Sequence, residues 1–89
     1  MVEIQTEIIN KLGLHARAAA KLSHLANSFN AEVSIVYNEV RVNAKSLLGI
    51  LTLAASVGNS ITVITEGSDE QEAADMVKNL IDRKFDEEK

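Results

Sequence analysis

Apolar and polar residues alternate at the start of the chain, as in a strand with one buried face. The alternation covers residues 2–8, and a period of two places every second side chain on the same face of a sheet. Three later runs rich in β-branched residues predict further strands at 33–37, 40–42 and 61–65. Only Asn38 and Glu39 separate the second strand from the third, so we expect a tight hairpin there.

Apolar residues at helical spacing follow the first predicted strand. They form one stripe about 120° wide, which is typical of a helix with a single buried face. The stripe consists of Ala18, Ala19, Leu22, Leu25, Ala26 and Phe29. The opposite side of this predicted helix carries the basic residues Arg17, Lys21 and His24.

A similar stripe after Gly67 predicts a C-terminal helix. Ser68 and Gln71 have the spacing of a capping box, and Asp69 and Glu70 suit the first turn of a helix. The stripe consists of Ala73, Ala74, Val77, Leu80, Ile81 and Phe85. We expect residues 86–89, beyond the stripe, to fray.

The helix predicted at 47–54 differs from the other two, because its apolar residues cover about 220° of its surface. These residues are Leu47, Leu48, Ile50, Leu51, Leu53 and Ala54. A stripe that faces only the core covers a much narrower arc of the helix. The outer side of this helix is therefore either an exposed apolar patch or is buried beneath a loop. We favour the exposed patch, which on a small protein usually marks an interaction site.

The predicted elements follow the order β-α-β-β-α-β-α. Amphipathic helices and alternating strands together predict an α+β fold of two layers, with the helices on one face of a mostly antiparallel sheet. The length of 89 residues and the hydrophobic share of 46% suit one domain with a packed core. We therefore expect residues 1–89 to form a single domain.

Composition excludes several classes of function. The chain has no Cys, which rules out thiol catalysis, iron–sulfur clusters and zinc sites built on cysteine. Its formal net charge of −4 argues against a nucleic-acid partner. The longest apolar stretch is shorter than the ~20 residues that a membrane span needs, and the N-terminus does not resemble a secretory signal. We expect a cytoplasmic protein that neither inserts into a membrane nor binds a metal.

The charge is unevenly distributed along the chain. Residues 1–65 carry four acids and five bases, a net charge of +1, whereas residues 66–89 carry nine acids and four bases, a net charge of −5. An acidic segment of this kind is usually a solvated helix face. The bases near His15 are more informative, because they could attract an anion.

The segment Gly13-Leu14-His15-Ala16-Arg17 places a nucleophile at the predicted start of the first helix. Helix N-termini combine unpaired backbone N–H groups with the positive end of the dipole, an arrangement suited to anions. If His15 attacked a phosphoryl donor, the anionic group would lie against these N–H groups, and Arg17 could pair with it. The alternative is a histidine that only caps the helix, and this short motif alone does not decide between the two.

Ser46 is a second candidate site, because it directly precedes the predicted middle helix. As structure it is an ordinary N-cap, and as function it is a phosphorylation site beside the apolar patch. Both interpretations can hold together. His24 shares a helix face with Arg17 and is interpreted as a solvated residue.

Two segments together resemble the signatures of a known family. Residues 13–17 resemble the active-site signature of HPr, the histidine-containing phosphocarrier protein of the bacterial phosphotransferase system. Residues 45–54, which read KSLLGILTLA, resemble the family's second signature, around its regulatory serine. Both occur at the family's spacing, and the resemblance covers residues 1–85. It implies an open-faced β-sandwich, in which four antiparallel strands carry three helices on one face.

The resemblance also implies a function. His15 would accept a phosphoryl group from phospho-Enzyme I on Nδ1 and pass it to an Enzyme IIA-type domain, with Ala16 and Arg17 stabilising the group. The chain would then be a substrate of phosphotransferases in sugar uptake, without a cofactor and as a monomer, and not itself an enzyme. Ser46 would be modified by an HPr kinase/phosphorylase in organisms that have one. The surface that docks partners would consist of Ala16, Ala20, Leu47, Leu48 and Leu51.

The chain departs from the family pattern at Ala18, where proline is common, and at Leu12, where many members have asparagine. Two alternatives to the sugar-uptake carrier remain open. One is the nitrogen-regulatory branch of the same family, which uses the same histidine in a relay without a sugar. The other is a non-catalytic regulatory binding domain of ferredoxin-like type, which acid-labile phosphate on His15 would exclude.

Overall fold

The computed structural model, which describes residues 1–87, has its strands and helices in the predicted order. The strands are β1 (Val2–Glu7), β2 (Glu32–Tyr37), β3 (Val40–Asn43) and β4 (Ser60–Glu66). The helices are α1 (Ala16–Ala26), α2 (Leu47–Thr52) and α3 (Glu70–Asp82), and a 3₁₀ turn (Lys84–Asp86) follows α3. Within residues 1–87, no helix has the length and apolar character needed to cross a membrane.

The four strands form one antiparallel sheet in the order β1-β4-β2-β3. Its register aligns an apolar row across the sheet, since Ile4 pairs with Val63, Val63 with Ile35 and Ile35 with Val42. The sheet and the three helices form the predicted α+β open-faced sandwich. The prediction of the fold class is therefore confirmed.

The hairpin between β2 and β3 turns at Asn38 and Glu39, as predicted. Both residues have positive φ, +52° and +68°, which is the backbone that a two-residue type I′ turn requires. Asparagine tolerates this conformation well, whereas glutamate adopts it at a cost. The pairing of the flanking strands therefore maintains the turn.

Most of the buried helical residues belong to the predicted stripes of α1 and α3. Leu25 is only half-buried, and Phe29 is buried although it lies beyond the end of α1. Helix α2 is shorter than predicted, because it ends at Thr52 and Ala54 has a φ of +53°. The fully buried apolar residues of α1 and α3 are Ala18, Ala19, Leu22, Ala26, Ala73, Ala74, Val77 and Ile81.

The start of α3 does not form the predicted capping box. Asp69 occupies the N-cap position, and no side chain caps the helix. The Asp69 carboxylate instead accepts hydrogen bonds from the backbone N–H groups of Asn30 at 2.9 Å and Ala31 at 2.7 Å. The bond from Asn30 is the main cause that holds the pKa of Asp69 below its usual value. Asp69 thus ties the segment before β2 to the start of α3.

The chain after α3 does not fray where it is described. Lys84, Phe85 and Asp86 all have positive φ, from +54° to +62°, and form a left-handed turn. The side chain of Phe85 is fully buried, and truncating a buried phenylalanine typically costs about 3–5 kcal/mol. Phe85 therefore anchors the segment through Glu87. The rest of the predicted fraying segment, residues 88 and 89, lies outside the described residues.

Candidate functional site

The loop before α1 is held by a close contact between two backbones. Gly13 has a φ of +65°, and a Cβ at this position would lie 2.8 Å from the carbonyl oxygen of Ala55. The N–H of Leu14 donates to the same carbonyl at 3.0 Å, and the side chain of Leu14 is buried. This contact determines where the chain emerges from the core to begin α1.

His15 occupies the N-cap of α1, as the sequence predicted. Its Nδ1 accepts a hydrogen bond from the backbone N–H of Arg17 at 3.3 Å, and its carbonyl accepts from the N–H of Ala19 at 2.8 Å. The first N–H groups of a helix lack partners within the helix and favour an anion. A side-chain exposure of 26% leaves the ring accessible to an incoming group. Nδ1 therefore lies beside backbone donors that could hold a phosphoryl group.

Arg17 is exposed beside His15, as are Ala16 and Ala20. Its guanidinium forms no ion pair with any of residues 1–87. Arginine binds oxyanions through a fixed fork of N–H donors. An anion on His15 would therefore meet a cation that no described carboxylate already engages.

The C-terminal turn reaches this site, which the sequence analysis did not predict. One carboxylate oxygen of Glu87 contacts Nε2 of His15, and the other accepts a hydrogen bond from Nδ2 of Asn10 at 3.2 Å. Lys21 donates from Nζ to the carbonyl oxygen of Phe85 at 2.6 Å. Lys21, predicted on the face of α1 opposite the buried stripe, is thus half-buried and ties α1 to the C-terminal turn.

The Glu87 side chain is only 11% exposed. Burial raises the pKa of its carboxyl group, but hydrogen bonds from His15 and Asn10 lower it, as do the electrostatic interactions with His15 and Lys21. Burial is the largest single effect, but the lowering effects together outweigh it, and the pKa of Glu87 lies below its usual value. The carboxylate is therefore ionised at neutral pH and can only accept hydrogen bonds.

Asn10 supports the same loop from the other side. Its side chain is fully buried, and Nδ2 donates to the carbonyl oxygen of Gly13 at 2.8 Å as well as to Glu87. Leu12, which stands where many family members have asparagine, is 66% exposed. Asn10 thus supplies an amide hydrogen bond to the loop that Leu12 cannot make. No local pattern in the sequence indicates this role.

Ser46 caps α2, as predicted. Its Oγ accepts a hydrogen bond from the backbone N–H of Gly49 at 3.0 Å, and the residue is exposed. A Cβ at Gly49 would lie 3.2 Å from the same oxygen. The hydroxyl is therefore held at the start of α2 and is accessible from solvent.

Two polar side chains, Ser23 in α1 and Asn27 at its C-cap, hold the start of α2. Neither was predicted from the sequence. Ser23 Oγ and Asn27 Nδ2 donate to the carbonyl oxygen of Lys45, at 3.1 Å and 3.0 Å. Lys45 in turn donates from Nζ to the carbonyl oxygen of Phe29 at 2.8 Å. The sequence does offer one indication of this contact. Ser23 is a polar residue on the buried side of a helix, and a buried hydroxyl needs a hydrogen-bond partner.

The residues of the predicted docking surface, which we call the apolar patch, are Ala16, Ala20, Leu47, Leu48 and Leu51. Leu47 and Leu48 are 40% and 74% exposed, so the exposed alternative is correct for them, whereas Leu51 is half-buried against the core. Helix α1 packs against α2, and helical spacing places Ala16 and Ala20 on the stripe of α1 that carries Ser23 and Asn27. The two helices therefore present the patch on one side of the molecule.

Known proteins resemble this chain over nearly its whole length. A family model described as "PTS HPr component phosphorylation site" matches residues 2–83. Phosphocarrier protein HPr of Cupriavidus necator is 49% identical over 87 residues, which cover 98% of each chain. Phosphocarrier protein NPr of Shewanella violacea is 49% identical over 86 residues, which cover 97% of this chain and 94% of the relative. The crystal structure of HPr-C-His from Thermoanaerobacter tengcongensis matches with a TM-score of 0.96 at 43% identity, covering 100% of both chains.

The contact of Gly13 with Ala55 predicts that Gly13→Ala is strongly destabilising. Gly58→Ala is a matched control, because Gly58 also has positive φ, +90°, but a Cβ there would have no neighbour within 4 Å. Both variants incur backbone strain of about 1–2 kcal/mol. Gly13→Ala should lose about 1–3 kcal/mol more in free energy of unfolding, since the methyl group must displace backbone. Urea denaturation measures the difference, and equal losses would contradict the prediction.

Proposed function

This chain belongs to the HPr family of phosphocarrier proteins, and we propose that it accepts a phosphoryl group on His15 from phospho-Enzyme I and passes it to an Enzyme IIA-type domain. The observation that carries the proposal is the position of Nδ1, at the N-cap of α1 and 3.3 Å from the backbone nitrogen of Arg17. The proposed process is phosphoenolpyruvate-dependent sugar uptake. The chain acts as a monomeric carrier that phosphotransferases use as a substrate.

Phosphoryl transfer onto His15 needs a lone pair on the ring and donors for the arriving oxygens. The lone pair of Nδ1 attacks phosphorus while the bond from phosphorus to the donor breaks, and its electron pair leaves with the donor. The backbone N–H of Arg17, which donates to Nδ1 before the transfer, then donates to a phosphoryl oxygen instead. The N–H of Ala16 offers a second donor. The guanidinium of Arg17 adds a charge-assisted bond. The reverse of this step delivers the phosphoryl group to the next protein.

Partner docking is assigned to the apolar patch. Leu47 and Leu48 expose apolar surface at the start of α2, and exposed apolar clusters on small proteins are typical of interaction sites. Arg17 lies among the patch residues of α1 and would attract acidic groups on Enzyme I and on the IIA-type domain. The exposed leucines would supply the affinity, and the charge would orient the partners.

The nitrogen-regulatory branch is a second candidate, because the NPr of Shewanella violacea is as similar to this chain as the HPr of Cupriavidus necator, at 49% identity. The two branches share the chemistry at His15 and differ in the acceptor of the phosphoryl group. Phosphorylated protein offered separately to a sugar-specific IIA domain and to a nitrogen-regulatory IIA protein distinguishes them. Faster transfer to the sugar-specific domain supports the first candidate, and faster transfer to the nitrogen-regulatory protein supports the second.

His15 is predicted to be the only site that phosphoenolpyruvate and Enzyme I phosphorylate. His15→Ala should abolish acid-labile label, whereas His24→Ala, which removes an exposed histidine from the last turn of α1, should retain it. Arg17→Ala should slow labelling without abolishing it, because the backbone N–H groups remain. The measurement is incorporation of labelled phosphate from phosphoenolpyruvate. Label retained by His15→Ala would refute the assignment of His15, whereas wild-type protein that takes up no label would favour the ferredoxin-like binding domain.

The apolar patch predicts that Leu48→Glu weakens binding to Enzyme I and leaves thermal stability nearly unchanged, because Leu48 is 74% exposed. Val40→Glu is the matched control, since Val40 is 49% exposed at the turn end of the β2–β3 hairpin. We expect a loss of affinity of at least about tenfold for Leu48→Glu, as for an apolar contact in an interface, and little change for Val40→Glu. Equal effects of the two substitutions on Kd, measured by calorimetry, would argue against this docking surface.

Ser46 is proposed as a regulatory site for an HPr kinase/phosphorylase. Phosphate on Oγ would stand at the start of α2, next to Leu47 and Leu48, and would add about two negative charges there. An acidic partner docking at the apolar patch would meet these charges. At about 4–6 Å and an effective dielectric constant near 20, one like-charge pair costs roughly 3–4 kcal/mol before salt screening.

Ser46→Asp should therefore slow phosphorylation of His15 by Enzyme I several-fold at low salt. The melting temperature should stay the same or rise slightly, because aspartate is a good N-cap and a negative charge is favourable at this end of a helix. Ser46→Asn is the control, since it caps α2 without adding charge and should keep the wild-type rate. A large drop in melting temperature, or an equal rate for the two variants, would mean that Ser46 acts only as a cap.

A further inference from the structure

The two nitrogens of His15 have different partners, and together these partners assign the proton of the neutral ring. A backbone N–H can only donate, so Nδ1, which accepts from Arg17, must present its lone pair. An ionised carboxylate can only accept, so Nε2, which contacts Glu87, must carry the hydrogen. The contacts thus select the tautomer in which Nδ1 is the nucleophile.

We propose that Glu87 is a positioning residue for phosphoryl transfer, which holds His15 in the tautomer with a free Nδ1 lone pair and offsets the positive charge that the ring gains. This inference rests on the proposed function. When Nδ1 attacks, its lone pair becomes the new bond to phosphorus, and the electron pair of the broken bond stays with the donor. The proton stays on Nε2, so the phosphorylated imidazole is cationic. The Glu87 carboxylate faces that cation and stabilises it, as an acid beside a histidine does in other transfer sites.

Three interactions that do not involve His15 hold Glu87 in place. The side chain of Phe85 is fully buried two residues earlier, and Lys21 of α1 binds the carbonyl oxygen of Phe85 at 2.6 Å. Asn10, fully buried, donates to Oε1 of Glu87 at 3.2 Å, which leaves Oε2 for His15. For an exposed acidic side chain, the entropy lost in holding one geometry offsets most of the gain from pairing with the ring. Glu87 is largely buried and has little of that freedom left to lose.

The neighbouring acid provides a matched control. The carboxylate of Asp86 is 57% exposed and pairs with Arg83, so Asp86→Asn changes the net charge by the same amount as Glu87→Gln without touching His15. Wild type, Glu87→Gln and Asp86→Asn are each mixed with Enzyme I and limiting phosphoenolpyruvate in a rapid-quench experiment. At metal sites, loss of the group that orients a ligating histidine typically costs about 10–100-fold in affinity or activity. We expect Glu87→Gln to accept phosphate at least about tenfold more slowly and Asp86→Asn to match wild type.

A second measurement separates orientation of the ring from general loss of structure. In wild type, ¹⁵N NMR of the neutral imidazole should show hydrogen on Nε2 and a lone pair on Nδ1. In Glu87→Gln the ring should be a mixture of tautomers, because an amide can donate as well as accept, while the melting temperature stays near that of wild type. Asp86→Asn should keep the wild-type spectrum.

Several results would overturn the proposal. A Glu87→Gln rate equal to or faster than wild type, or a wild-type ring with its hydrogen on Nδ1, would refute the positioning role while leaving His15 as the acceptor. An equal slowing in Asp86→Asn would mean that the loss of one negative charge, and not the contact with His15, causes the effect. Wild-type protein that takes up no acid-labile phosphate on His15 would instead refute the proposed function, and this inference with it.

Discussion

The close approach of Gly13 to the carbonyl of Ala55 is the constraint on which the candidate site depends. Because the two backbones come within van der Waals contact, Leu14 enters the core and His15 is the first residue to emerge from it. The buried stripe of α1 then holds the helix against the core. A group built on the first turn of such a helix is held more firmly than one on a free loop. The backbone N–H groups beside Nδ1 owe their position to this packing.

The parts of the structure that were predictable from the sequence are those determined by near neighbours. Strand alternation and helical stripes give the element order, and the caps at His15 and Ser46 are formed by residues two and three positions ahead. Asp69 and Glu87 were mispredicted because their partners are distant in the chain. Asp69 prefers the N–H groups of Asn30 and Ala31, 39 and 38 residues away, to its own helix. Glu87 meets His15 across 72 residues, and neither contact has a periodic signature.

Helix α1 connects features that the sequence suggests are separate. Ser23 and Asn27 hold the carbonyl of Lys45, and therefore the start of α2 with Ser46, while Lys21 holds the C-terminal turn. The stripe of α1 that faces α2 also carries the small residues of the apolar patch. Asn27 donates from Nδ2 both to the carbonyl oxygen of Ser23 at 2.8 Å and to that of Lys45 at 3.0 Å. One amide therefore links the end of α1 to the segment that precedes α2.

The ionised Glu87 raises an electrostatic question, because the proposed phosphoryl group is also an anion on the same side chain. The geometry of imidazole answers it, since Nδ1 and Nε2 lie on different edges of the ring and the two anions would approach from different directions. Between them the phosphorylated ring is a cation, so each anion has an opposite charge as its nearest neighbour. Arg17 and the first-turn N–H groups would face the proposed phosphoryl group, whereas Asn10 and Lys21 lie on the Glu87 side. The local order of charges, and not the net charge of −4, therefore determines whether the site can hold an anion.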